Sequence, residues 1–173
     1  ALIPENRLKI DLRGGMETVQ VFRARGILSR EEQDLNIEMD SLNVCIFEPF
    51  VPGVKLTKGQ LFASVHLNST TEKTDITGNI RGKGLEIQPQ ALDRPVTKGR
   101  FFAELDGGTI RMEALSAGLG GGVIKGSGYA DFDTTGISDI SMLLHGRRVG
   151  FVINHDLEVN IDSLDLFWKR DGT

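Results

Sequence analysis

The sequence predicts an all-β chain laid out as one long antiparallel sheet, on three observations. Apolar and polar residues alternate in twos along much of the chain, the period of a strand with one apolar and one wet face. Turn signals rich in glycine separate these runs at short, even intervals. The 3.6-residue period of an amphipathic helix is almost absent.

Taken in order, Leu8-Lys9-Ile10-Asp11-Leu12 alternates and meets a turn signal at Arg13-Gly14-Gly15. Leu35-Asn36-Ile37-Glu38-Met39 alternates next. The segment Cys45-Ile46-Phe47-Glu48-Pro49-Phe50-Val51-Pro52 is too short and too proline-broken for more than a turn of helix, and Val51-Pro52-Gly53 closes it as a turn. Leu61-Phe62-Ala63-Ser64-Val65-His66-Leu67 and Ile76-Thr77-Gly78-Asn79-Ile80 resume the period of two, ahead of a turn signal at Arg81-Gly82-Lys83-Gly84. Asp106-Gly107-Gly108 between Phe101–Leu105 and Thr109–Met112 predicts a hairpin, because glycine supplies the positive φ of a tight turn. Thr134-Thr135-Gly136 marks another turn. Leu157-Glu158-Val159-Asn160-Ile161 alternates, slips at Asp162-Ser163 and resumes as Leu164-Asp165-Leu166-Phe167-Trp168, a slip that a bulge absorbs. Roughly eleven strands in a single domain are expected.

Glycine is the unusual residue, with 21 in 173, about 12% against an average near 7%. Ile76-Thr77-Gly78-Asn79-Ile80-Arg81-Gly82-Lys83-Gly84 and Val123-Ile124-Lys125-Gly126-Ser127-Gly128-Tyr129-Ala130 form a faint repeat, each containing Gly at a spacing of two. Glycine weakens a strand but permits sharp curvature or close approach. Repeated glycine on one face fits a strongly bent sheet, and it serves a barrel or sandwich corner equally well.

Catalytic and metal chemistry are not visible. Cys45 is the single cysteine, which excludes internal disulfides and cysteine-based zinc cages, and it reads as a small apolar filler. His66, His145 and His155 are scattered, with His66 on a wet strand face. Gly121 and Gly126 have the separation of a phosphate loop, but Ser127-Gly128 stand where Lys and then Ser or Thr are needed, so Leu119–Ser127 reads as a β-turn. Asp131 and Asp133 would hold Ca²⁺ only with several more oxygen ligands, and they read as a strand-end turn. Glu104 and Asp106 read as solvated acids rather than a glycosidase pair. His145-Gly146-Arg147-Arg148 is either an anion site or, as short charge clusters usually are, a solvated loop. With Lys+Arg 20 against Asp+Glu 24, a net charge of −4, nothing draws the chain to nucleic acid. No cofactor, metal or catalytic residue is expected. Ala1–Asn6 offers no leader-like apolar run, and the chain reads as a fragment of a longer protein.

Three stretches carry a resemblance. Glu48-Pro49-Phe50-Val51-Pro52-Gly53-Val54-Lys55-Leu56-Thr57-Lys58-Gly59-Gln60-Leu61 resembles the recurring proline–glycine turn and following strand of TamB-like and AsmA-like repeat proteins. Thr77–Leu85 is similar to their glycine-broken strand, and Gly107–Gly128 to their strand, glycine kink and partner strand. Together the three lie within roughly residues 45–145. The resemblance implies a long sheet curled into a taco-shaped or U-shaped groove with an apolar floor, residues 1–173 being one such segment of two to three degenerate repeats. It also implies a periplasmic place in an inner-membrane-anchored protein, and phospholipid carriage between inner and outer membranes. An outer-membrane barrel partner of the TamA type, outer-membrane protein and autotransporter assembly, and pairing with neighbouring repeats of the same chain complete what it implies.

On that expectation the groove wall is Leu35, Ile37, Met39, Leu61, Ala63, Val65, Ile76, Ile80, Phe101, Leu105, Ile110, Met112, Ile124, Phe132, Leu157, Val159 and Ile161, with Leu8, Ile10, Leu12 and Ala103 as further candidates. Phospholipid acyl chains are the expected guests, each buried CH₂ contributing about 0.8 kcal/mol. The same residues would equally line a dry sandwich core. Two further functions are weighed: a scaffold that pairs its strands with nascent outer-membrane barrels, and a β-sandwich hydrolase of envelope glycans, which would need acids converging on a cleft.

Overall fold

A computed structural model describes residues 7–16, 19–29, 31–71, 73–133, 136–153 and 157–171; at several strand ends, position 157 among them, it describes the backbone alone. Ten strands form one antiparallel sheet in chain order: β1 (Leu8–Met16), β2 (Val19–Leu28), β3 (Glu32–Asn43), β4 (Val54–Thr70), β5 (Thr74–Pro89), β6 (Val96–Asp106), β7 (Thr109–Leu119), β8 (Gly122–Asp133), β9 (Gly136–Ile153) and β10 (Leu157–Asp171). β1 and β10 are the two edges and do not pair with each other, so the sheet is not closed into a barrel.

The expected hairpin lies between β6 and β7, turning on Gly107 at φ +65°. β7 and β8 turn on Gly120 and Gly121, both with positive φ, the geometry that matches the twist of the flanking strands. A strand follows this turn instead of a helix, which removes the phosphate-loop geometry. Val44–Phe50 forms a 3-10 helix between β3 and β4; the Asn43 side chain accepts from the Cys45 N–H, and Pro49 lies within it.

Several expectations need correction. There are ten strands among the described residues, not eleven. Arg13-Gly14-Gly15 is an irregularity inside β1, and Arg81-Gly82-Lys83-Gly84 lies inside β5 rather than ending it. Glycine marks local distortion of the ladder at both places. His145–Arg148 is likewise part of β9 and not a loop. Thr134, Thr135 and His155 lie outside the described residues.

The slip at Asp162-Ser163 is shared by both strands, so the β9–β10 register runs on unshifted and no bulge absorbs it. Val149 pairs with Ile161 and Arg147 with Ser163, leaving Arg148, at φ +50°, at the irregularity. Beyond it β9 crosses the β7–β8 turn, where a Cβ on Gly120 would collide with the Gly150 carbonyl. It then reaches the β5–β6 connection: the Asp93 N–H donates to the Val152 carbonyl at 3.4 Å, and Arg94 Nη2 donates to Glu158 Oε1 at 2.9 Å. In a flat sheet β6 and β9 would stand about 14 Å apart. The sheet is bent at this end.

Candidate functional site

Residues directly opposite one another in an antiparallel pair share a face, so the register sorts the side chains without further assumption. One row crosses all ten strands: Gly14, Phe22, Met39, Ala63, Ile80, Ala103, Met112, Gly128, Met142 and Trp168. It contains no charged side chain. A second row on that face runs Leu12, Ala24, Ile37, Val65, Gly78, Leu105, Ile110, Ala130 and Ile140. A third runs Leu42, Leu61, Gly82, Phe101, Leu115, Gly126, Leu144 and Leu166.

The register places the other expected wall residues as follows. Leu35 pairs with Leu67, which pairs with Ile76, and Ile10 faces Gly26 beside Leu35. Leu8 stands opposite Leu28 at the β1 edge. Ile124 sits between Ala117 and Gly146, and Phe132 opposite Ile137. Val159 and Ile161 belong to the bent end, opposite Phe151 and Val149; the Leu157 side chain lies outside the described residues. Val149 is 1% exposed, and its Cγ2 stands 2.8 Å from where a Gly146 Cβ would be.

Residues that sequence reasoning missed include Phe22, Ala24, Leu67, Leu115, Ala130, Met142 and Leu144. Leu115 was hidden by a bulge: Ala103 faces Met112 while Phe102 faces Ala114, so Glu113 is an extra residue and Met112 and Leu115 share a face at odd spacing. In β9, Met142-Leu143-Leu144 conceals the alternation because Leu143 is an apolar residue on the other face. The readable signal there was Ile140, Met142 and Leu144 at a spacing of two.

The neighbouring row on the opposite face is Glu38, Ser64, Asn79, Glu104, Arg111, Tyr129, Ser141 and Lys169. His66 lies on this face too and shares a hydrogen bond with Asn36 at 2.9 Å. Tyr129 donates to Asp139 Oδ2 at 3.3 Å, and the Asp139 carboxylate pushes its phenol above the ordinary value. Asp11 is held below the ordinary carboxylate range by the Arg13 guanidinium, with Arg25 adding to it. His145 pairs with Asp165.

Burial along the apolar face runs from open edges to a covered centre. Leu12 is 57% and Trp168 52% exposed near the edges, whereas Ala103 is 6% and Leu105 7% exposed in the middle. Part of the cover is local, since a Cβ on Gly82 would strike the Phe101 ring and one on Gly126 would approach Leu144. Among the described residues no three His, Cys, Asp or Glu gather as a metal site, and no helix is long and apolar enough to cross a membrane. Glu104 and Asp106 are both exposed. Asp131 accepts from Thr109 Oγ1 at 2.6 Å. No family model, curated protein or solved structure matches the chain.

Proposed function

We propose that the apolar face is the inner wall of a groove for hydrocarbon, and that the chain is a segment of a TamB-like periplasmic bridge carrying phospholipid between the inner and outer membranes. The observation that carries this reading is the row of ten residues, from Gly14 to Trp168, eight with side chains and none of them charged. A soluble domain normally buries such a face against a second layer. Here every described strand belongs to the one sheet, so hydrocarbon guests are the natural cover.

Three further features support curling toward that face. Leu105 is only 7% exposed, although every described strand belongs to the one sheet. β9 turns at Arg148 and crosses to the β5–β6 connection, bringing one end of the sheet over itself. Glycines at 78, 82, 126 and 128 all fall on the same face, where the absence of side chains relieves crowding on a concave wall. Ten strands at about 4.8 Å give a sheet of about 48 Å across the strands, wide enough to fold into two facing walls. Outer-membrane protein assembly with a barrel partner of the TamA type, and continuation into neighbouring repeats through the free edges of β1 and β10, belong to the same reading.

The test is organic extraction of the purified protein followed by mass spectrometry of the extract. The expected result is co-purified phospholipid, reduced at least about fivefold by Ile80→Asp with Met112→Asp, since each carboxylate would sit unpaired among hydrocarbon. A lipid-free protein, or equal lipid in the double variant, overturns it.

A second reading rests on the edges. β10 leaves one side unpaired, with Phe167 67% exposed, a template for an added strand. Photo-crosslinkers at Phe167 would then capture barrel precursors, while crosslinkers at Met112 would capture lipid under the first reading.

A further inference from the structure

The polar face carries a site that the apolar face does not explain. Across β4 to β7 one of its rows reads Phe62, Arg81, Phe102 and Ala114, and the row beside it brings Lys83 directly opposite Arg100. These side chains surround a depression of about 640 Å³, within the range of small-ligand sites. Its floor follows from the Glu113 bulge, which bends β7 where Phe102 meets Ala114; bulges re-aim side chains in this way.

Its chemistry is mixed and specific. Arg81 lies over the Phe62 ring with Cζ 4.9 Å from the centroid, which fixes one apolar wall by a cation–π contact. Phe62 and Phe102 are only half-buried, on the face that also carries the polar row from Glu38 to Lys169. Lys83 and Arg100 are like charges directly opposite one another, an arrangement that costs stability in a sheet. Among the described residues neither they nor Arg81 form an ion pair with a carboxylate. This holds although the chain as a whole carries a net charge of −4. An anion placed between the two cations removes the repulsion, and Arg and Lys are the side chains suited to phosphate or carboxylate.

We propose that this depression binds a small soluble amphipathic anion, a single aryl or short alkyl group bearing one phosphate or carboxylate. The apolar group lies against Phe62 and Phe102, and the head group bridges Lys83 and Arg100. The site is on the opposite side of the sheet from the proposed hydrocarbon wall, and neither reading depends on the other.

Phenyl phosphate is the probe, titrated by calorimetry and mapped by NMR shift changes on the whole chain. The expected result is binding that shifts the resonances of Phe62, Arg81 and Phe102. Lys83→Gln with Arg100→Gln should weaken it at least about tenfold, while Lys83→Arg with Arg100→Lys retains it. Inorganic phosphate and phenyl glucoside should each bind at least about tenfold more weakly than phenyl phosphate. Circular dichroism checks that these exposed substitutions leave the sheet intact. No binding of phenyl phosphate, equal affinity in the Gln variant, equal affinity for inorganic phosphate, or shifts confined to other residues would each overturn the proposal. So would binding only to vesicles of dioleoylphosphatidylglycerol, which would make the cations a membrane contact. Acyl-chain binding on the other face is expected to be the same in the Gln variant and the wild type, so the two proposals fail separately.

Discussion

Gly78 and Gly84 lie six residues apart in β5 and are required for different reasons. Gly78 has φ +135°, and a Cβ there would collide with the Ser64 carbonyl and stand 2.9 Å from Val65 Cα. Gly84 has φ +63° with nothing within 4 Å of a Cβ, a left-handed position that Asn adopts readily. Gly78→Ala is therefore expected to cost about 2–3 kcal/mol, from strain and backbone collision together. Gly84→Asn should cost less than about 1 kcal/mol. Urea denaturation of the two variants checks this, and equal losses would contradict the assignment. Tyr129 offers a second measurement, because it is the only tyrosine. The Asp139 carboxylate raises its phenol, so the folded state holds this proton to higher pH than the unfolded chain. The contribution is present below the ordinary phenol value near 10 and is lost as pH rises through the raised one. Asp139→Asn should move the tyrosinate absorbance titration to lower pH; an unchanged curve would contradict the pairing.

Local chemistry was legible where one residue type decides the geometry. Asp106-Gly107-Gly108 turns because glycine accepts positive φ, and Pro49 and Pro52 keep the 44–50 segment short. It was less legible where glycine sits inside a strand. Arg13-Gly14-Gly15 and Arg81-Gly82-Lys83-Gly84 have turn composition, yet pairing with long neighbours on both sides of β5 carries the strand through. The bulge in β7 was invisible for a related reason: one extra residue changes the face of all that follow it in the sequence pattern. Glu113 is that residue. Removing it would leave Met112, Ala114 and Leu115 in strict alternation opposite Ala103, Phe102 and Phe101, so Leu115 and Ala117 would keep the apolar face. Deletion of Glu113 is expected to change stability by less than about 1 kcal/mol, measured by urea unfolding. A loss above about 2 kcal/mol would show that the strand needs the bulge.

On the scale of the molecule, the accessible surface is the telling quantity. The chain exposes 12018 Å², whereas a compact monomer of 19.0 kDa would expose about 8,400 Å². The excess of about two-fifths accords with the described strands forming a single layer of sheet. Period-two alternation made this sheet readable strand by strand, because alternation records which face each residue takes. What covers the apolar face was not readable, since a groove and a sandwich core require the same side chains. The covered centre and open edges of that face lead to the central claim, that its hydrocarbon contacts are completed by a guest. Paramagnetic broadening of methyl resonances by the uncharged methyl ester of 16-doxyl-stearate tests this most directly, free of any head-group attraction. Strong broadening is expected at Ile37, Val65, Ile80, Met112 and Leu144, with Leu143 on the polar face spared. Methyl groups of the apolar face that keep their full intensity, or broadening confined to Leu143 and its neighbours, would contradict it.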